Sequence, residues 1–367
     1  MPWWVLNVFV DMVEKEILSQ KNYQAKIFTT FSDKKFLEVE GRKIEIITAL
    51  PSFINNIFLF FSTRNIFILS SIFDYRNLMF FYKTLMKILS KKIVKYNAPK
   101  VVISSFAIAK NLEFCSIWYK WIYNPITSLY LHSPMQYIRS HHKEYLQKLK
   151  WYKLKIFKAI TSKLQKWDKQ YVKYDKVYAN SQYTADLAQK IYNIKAKVSY
   201  PKVEEEFLNL IPTDQSHNYY IYVWRLVKFV KELDKIIKLF NETWDPLLIM
   251  WTWPDEKYLK SISKWNIIFI WWIQDSKEKA KIIKNALWLI NITKESFGLW
   301  TVEALLSWVP VFALNEWASV ELIDEDSWVL VPDKKHKTLV EYFDKFKNKY
   351  WDKEYIIKSI NQKLSNK

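Results

Sequence analysis

The chain has 367 residues, half of them apolar, and a formal charge of +19. That length exceeds one ordinary core of about 100 to 200 residues and predicts two domains, and so much apolar content excludes a disordered chain. A single cysteine, Cys115, excludes a disulfide framework and a cysteine-based zinc site. Two glycines stand against 19 tryptophans, where about 7% glycine, roughly 26 residues, is usual.

Met1-Pro2-Trp3-Trp4 leads to Asp11, Glu14 and Glu16, which is not the pattern of a secretory leader, and the chain reads as cytoplasmic. Apolar residues three and four apart predict a helix over 5–19, then a short strand over 25–29. A strand is wanting before that helix, so the first strand of the N-terminal domain is expected to be missing. Short buried strands are expected at 43–48 and 100–104, with an apolar helical stretch over 53–95 between them. Asn55, Asn56, Arg64 and Asn65 interrupt its most apolar part, short of the about 20 continuous residues that a spanning helix needs. A helical hairpin lying on an anionic membrane stays open as a peripheral contact. Leu129-Tyr130-Leu131 runs into His132-Ser133-Pro134, a strand ending in a loop. A long basic helix is expected over 141–174, with His141 and His142 on its surface, and then a strand over 176–179.

The stretch 200–218 is polar, holds two prolines and reads as a linker between domains. After it, strands at 219–223, 246–250, 267–270, 287–291 and 309–313 alternate with helices at 231–241, 256–263, 276–284 and 301–307. Such alternation predicts a parallel sheet with helices on both faces. In a sheet of that kind, ligands bind outside the carboxyl ends of strands, and a following helix N-terminus offers free N–H groups to an anion. Thr293 to Val311 has this form: strand exit, small-residue loop, helix, apolar strand. Glu295 and Glu303 lie eight positions apart across it, so both can face one cleft.

Glu295-Ser296-Phe297-Gly298, with Glu303 completing E-x7-E, resembles the signature of family 4 retaining glycosyltransferases. The resemblance implies that Glu303 holds ribose hydroxyls of a donor nucleotide, that Glu295 lies near the transferred sugar, and that backbone N–H groups of Phe297, Gly298 and Leu299 lie beside the diphosphate. Tyr222-Val223-Trp224-Arg225-Leu226 resembles the family's strand ending in Gly-Arg-Leu. Arg225 and a following lysine, Lys231 with Lys228 as competitor, would then neutralise the leaving diphosphate. Trp251-Thr252-Trp253-Pro254 is similar to a Gly-x-Gly-Pro turn beside the base. Tyr130-Leu131-His132-Ser133-Pro134 resembles a mannosyltransferase-like segment in which the histidine, here His132, lies near the reaction centre. The family's next arginine is Gln136 in this chain. Asn180-Ser181 and Tyr200-Pro201 also match.

Against that pattern Trp4, Trp224, Trp251, Trp253, Trp308, Trp317 and Trp328 stand where glycine is expected, joined by Trp3, Trp300 and one of Trp271 or Trp272. Trp3-Trp4 then corresponds to the family's glycine-rich loop. A gene using UGA for glycine, translated with UGA as tryptophan, would give this distribution. The resemblance implies a GT-B fold: α/β, two Rossmann-like domains whose parallel sheets face a central cleft. The domains are expected at 1–200 for the acceptor and 201–345 for the donor, with a helix in 346–367 returning to the first domain. It implies transfer of a hexose, with retention, from a UDP- or GDP-linked sugar to a saccharide or lipid-linked acceptor, with no cofactor, no metal and no nucleic-acid partner. A nucleotide-sugar epimerase and a non-enzymatic basic protein are the rival classes.

Overall fold

The structure, a computed structural model, describes residues 24–39, 41–63, 81–115, 123–147, 151–170, 173–208, 218–225, 233–252, 256–271, 273, 275–323 and 328–365. Trp3, Trp4, Lys231, Trp253 and the expected helix over 5–19 lie outside these residues. The chain divides into two compact units, Met1–Asn180 with Thr184–Lys197, and Ser181–Tyr183 with Val198–Lys367.

In the first unit, β1 (Lys26–Thr29) and β2 (Phe36–Val39) flank β3 (Arg42–Thr48), parallel and antiparallel respectively. The β2–β3 hairpin is not signalled by alternation; its mark is Gly41 at φ 73°, a conformation that a side chain would strain. After α1 (Ser52–Thr63) and α2 (Tyr82–Tyr96) comes a second sheet, ordered β4 (Lys100–Ser105), β5 (Ile126–Leu131), β6 (Lys176–Ala179) and β7 (Lys197–Val198). Leu85, Met86, Leu89 and Ile93 repeat at helical spacing, and α2 buries them against Ile103, Leu129 and Trp167.

Within the single helix expected over 141–174 the described residues form α3 (His142–Gln147) and α4 (Trp151–Asp168). His141 is buried, not on a helix surface, because it lies in the turn entering α3. The end of α4 is tied down by ions: Asp168 pairs with Lys110 at 2.5 Å and with Arg139 at 2.9 Å, and accepts from Tyr192 of α5 (Gln182–Tyr192) at 3.0 Å.

The second unit alternates strictly: α6 (Glu205–Leu208), β8 (Tyr219–Arg225), α7 (Leu233–Thr243), β9 (Leu247–Thr252), α8 (Glu256–Ser261), β10 (Ile267–Trp271), α9 (Ser276–Lys284), β11 (Ala286–Asn291), α10 (Leu299–Leu306), β12 (Val311–Leu314), α11 (Ser319–Leu322), β13 (Trp328–Val331), α12 (His336–Phe346) and α13 (Lys353–Ser365). Among the described residues its six strands are parallel and ordered β10-β9-β8-β11-β12-β13. Strand interiors such as Ile221, Tyr222, Val223, Ile290 and Phe312 are fully buried, because helices cover both faces. The C-terminal helix α13 packs on α10, and Lys363 Nζ donates to Leu322 O at 3.1 Å.

Candidate functional site

The strand order of the second unit fixes where a ligand site belongs. From β8 the chain winds outward through β9 to β10, then returns to the other side of β8 and winds the opposite way through β11, β12 and β13. The reversal falls between β8 and β11. Helices leaving neighbouring strands to opposite faces open a crevice at such a switch point, beyond the carboxyl ends of the strands.

Of the residues singled out from the sequence, Arg225, Trp251 and Thr252 end strands at this edge, and Glu295, Phe297, Gly298 and Leu299 follow β11 there. Arg225 ends β8 and is in register with Thr252 at the end of β9, while Trp224, Trp251 and Trp271 form one row across β8, β9 and β10. The side chains of Arg225, Trp251 and Thr252 lie outside the description. On the other side of the switch, β11 ends at Asn291 and the loop to α10 carries Glu295, Phe297 and Gly298.

That loop is held by a polar relay. Asn291, fully buried, donates through Nδ2 to Thr301 Oγ1 at 2.9 Å and accepts from Thr293 N at 3.2 Å and Thr293 Oγ1 at 2.6 Å. Thr293 Oγ1 lies 3.2 Å from Glu295 Oε1, so the relay reaches the first of the two carboxylates. Ser181 Oγ donates to Ser296 O at 2.5 Å, and Tyr200 packs on Phe297 with ring centroids 5.2 Å apart. Gly298 is the N-cap of α10 at φ 86° and ψ 58°, and an added Cβ would meet Thr301 Oγ1 at 3.4 Å. Glycine is required there, and no side chain caps the helix. The first turn of α10 thus presents N–H groups toward the strand ends, together with the positive end of the helix dipole.

Glu303 sits on the second turn of α10, fully buried, and neither carboxylate oxygen has a hydrogen-bond partner. Burial raises its pKa well above the usual value, Lys279 pulls it down and Glu204 pushes it up. A carboxylate taken out of water without partners is costly, and one that a structure retains calls for a specific reason.

His132 belongs to the first unit. It extends β5 by donating its backbone N–H to Ser105 O at 3.0 Å, and its Nε2 lies 2.8 Å from Ser104 Oγ. The ring meets Tyr130 edge-on at 4.9 Å. Full burial pushes its pKa down to about 3, so the ring is neutral at physiological pH. Leu299 opens α10, two residues before the expected start at 301; Glu295 lies in the loop before this helix and Glu303 within it, whereas His132 is on the other unit. Sequence reasoning missed Asn291, Thr293 and Thr301; a polar residue ending an apolar strand was the available signal.

No protein-family model matches the chain, and no curated protein matches it. Among solved structures it is similar to a sucrose-phosphate synthase from Thermosynechococcus elongatus at 16% identity and TM-score 0.63, covering 98% of this chain and 88% of that one. It is also similar to Anabaena HepE in complex with UDP and glucose, at 12% identity and TM-score 0.59, covering 99% and 96%. WaaG, a glycosyltransferase involved in lipopolysaccharide biosynthesis, is similar at 11% identity and TM-score 0.60, covering 98% and 90%. At these identities the likeness speaks for architecture, and the architecture of this chain is the GT-B fold.

Proposed function

We propose that the chain is a glycosyltransferase that takes a hexose from a UDP- or GDP-linked sugar. The observation that carries this reading is the buried, unpartnered Glu303 behind a glycine-opened helix N-terminus at the switch point. A diphosphate suits the uncapped N–H groups of α10, and ribose hydroxyls suit the Glu303 carboxylate. Arg225, at the end of the adjacent strand, and Lys231 would stabilise the charge that develops on the leaving diphosphate. Glu295, oriented by Thr293, would lie against the transferred sugar, and His132, neutral, would face the acceptor side. HepE binds UDP and glucose, which accords with a nucleotide-sugar donor.

The finer reading is a retaining, mannosyltransferase-like family 4 enzyme acting on a saccharide or lipid-linked acceptor in cell-surface glycan synthesis. It works in the cytoplasm, at the inner face of the membrane, and needs no resident cofactor. Among the described residues no helix is long and apolar enough to cross a membrane. Exposed Phe53, Ile54, Ile57 and Phe60 on α1, with a charge of +19, suit peripheral contact with an anionic bilayer.

The tryptophans belong to this reading. Among the described non-glycine residues, positive φ occurs at Asn97, Asn193, Trp244, Trp308 and Trp317. Asparagine tolerates that region, whereas a bulky residue there is strained by about 1 to 2 kcal/mol. Trp308 follows α10 in a Schellman arrangement, its N–H to Leu305 O and that of Val309 to Ala304 O, the position that glycine fills. These three angles support UGA-encoded glycine, and mass spectrometry of the protein from its native source finding tryptophan at 244 and 308 would overturn it.

The activity is tested by calorimetric titration of the full chain, carrying glycine at the tryptophan positions named above, with UDP- and GDP-sugars, repeated with Glu303→Ala and Arg225→Ala. Micromolar binding of one donor that both substitutions abolish is expected. A well-folded protein that binds none refutes the reading, and turnover without an acceptor would make it an epimerase.

A further inference from the structure

Beneath Glu303 lies a charged pair to which the donor-binding reading gives no role. Lys279, on α9, is buried, and its Nζ lies 3.3 Å from Glu204 Oε2, with side chains only 3% and 18% exposed. The three elements concerned, α9, α10 and the segment opening into α6, pack mutually. One buried cation therefore sits among two carboxylates: Glu204, which it already contacts, and Glu303, which has no hydrogen-bond partner.

We propose that Lys279 is a positioning residue: its buried ammonium is the counter-charge of Glu303 when that carboxylate accepts ligand hydroxyls, and Glu204 competes for it. The inference rests on the reading of Glu303 as the ribose-binding group and adds what makes a buried carboxylate usable there. Lys279 and Glu204 are the two charges that act on Glu303, with opposite sign. A cation shared between two anions weakens as support for either one. Neutralising Glu204 should therefore favour the ligand-bound carboxylate. This response separates charge from mere packing, because loss of a structural ion pair would weaken binding whichever partner is removed.

The experiment is calorimetric titration of the full chain with UDP and with GDP, comparing the unsubstituted protein, Lys279→Met, Glu204→Gln, the double variant, and Glu303→Gln. Lys279→Met is expected to raise Kd about tenfold or more, because it leaves buried Glu303 and half-buried Glu204 without this cation. Glu204→Gln, close in shape to the original, is expected to lower Kd severalfold, and adding it to Lys279→Met to recover most of the loss. Should Lys279→Met fail to fold, Glu204→Gln alone decides: tighter binding supports the inference, and unchanged or weaker binding overturns it. If Glu303→Gln abolishes binding while Lys279→Met and Glu204→Gln leave Kd unaltered, this inference falls and the donor-site reading stands. If Glu303→Gln binds as the unsubstituted chain does, or the unsubstituted chain binds neither nucleotide, both fall.

Discussion

Two buried titratable residues impose opposite pH dependences. His132, its pKa pushed down to about 3 by burial, stays neutral in the folded chain while the unfolded ring titrates near 6.5. Between those values the unfolded chain binds the extra proton, so stability should fall as pH drops below about 6.5, by up to about 1.4 kcal/mol per pH unit. Denaturant melts of His132→Gln should lack that component; an unchanged slope would mean the ring is hydrated. Glu303 acts in reverse. Its pKa is raised by burial, so its contribution is full below the ordinary carboxylate value and is lost as pH rises above it. Replacing it with leucine at pH 7 should stabilise the chain by about 1 to 3 kcal/mol while donor binding disappears. A loss of stability instead would mean that a partner already satisfies the carboxylate.

At the scale of elements, the crossings of the chain between its two units are the parts least legible in sequence. Gln182 N and Tyr183 N, opening α5, donate to Glu321 Oε1 and Oε2 at 2.9 and 3.2 Å, and Tyr200 Oη donates to Oε1 at 2.5 Å. One carboxylate thus caps a helix and holds Tyr200, which follows β7, from a position 139 residues away in sequence from Gln182. Local pattern carries no trace of such a pairing. Glu321→Ala should cost about 1 to 2 kcal/mol by chemical denaturation, the worth of a lost N-cap. The Asp168 cluster has the same non-local character, joining α4, Arg139, Lys110 and α5. Asp168→Asn should destabilise by about 3 to 5 kcal/mol, since Lys110, fully buried, and Arg139, half-buried, would lose their anion. Legible, by contrast, was the left-handed turn at Trp308, whereas the helix after Gly298 begins at Leu299 and not at 301. At Trp308 the chain direction and the helix pattern demand a left-handed residue, whatever letter occupies it.

Across the whole molecule, legibility tracks how much of the architecture is local. In the second unit each βα step buries its own apolar run, so the alternation and the parallel sheet could be anticipated, and the reversal between β8 and β11 falls where Arg225 and Glu295 were already marked. The first unit mixes parallel and antiparallel pairs in two sheets among its described residues, with turns written in almost no glycine, and its hairpin at Gly41 passed unseen. A site assembled at a switch point predicts a particular footprint. With UDP or GDP at a hundred times Kd, ligand linkage should add about 2.7 kcal/mol to unfolding. Amide exchange should slow at 291–303 and at the ends of β8 and β9, around Arg225 and Thr252. The relay through Asn291, Thr293 and Thr301 should transmit that protection into the loop, so Asn291→Ala should keep the fold but lose slowed exchange at 293–298. Protection confined to β4 and β5, around Ser104 and His132, would instead move the nucleotide to the first unit and reverse the assignment of donor and acceptor sides.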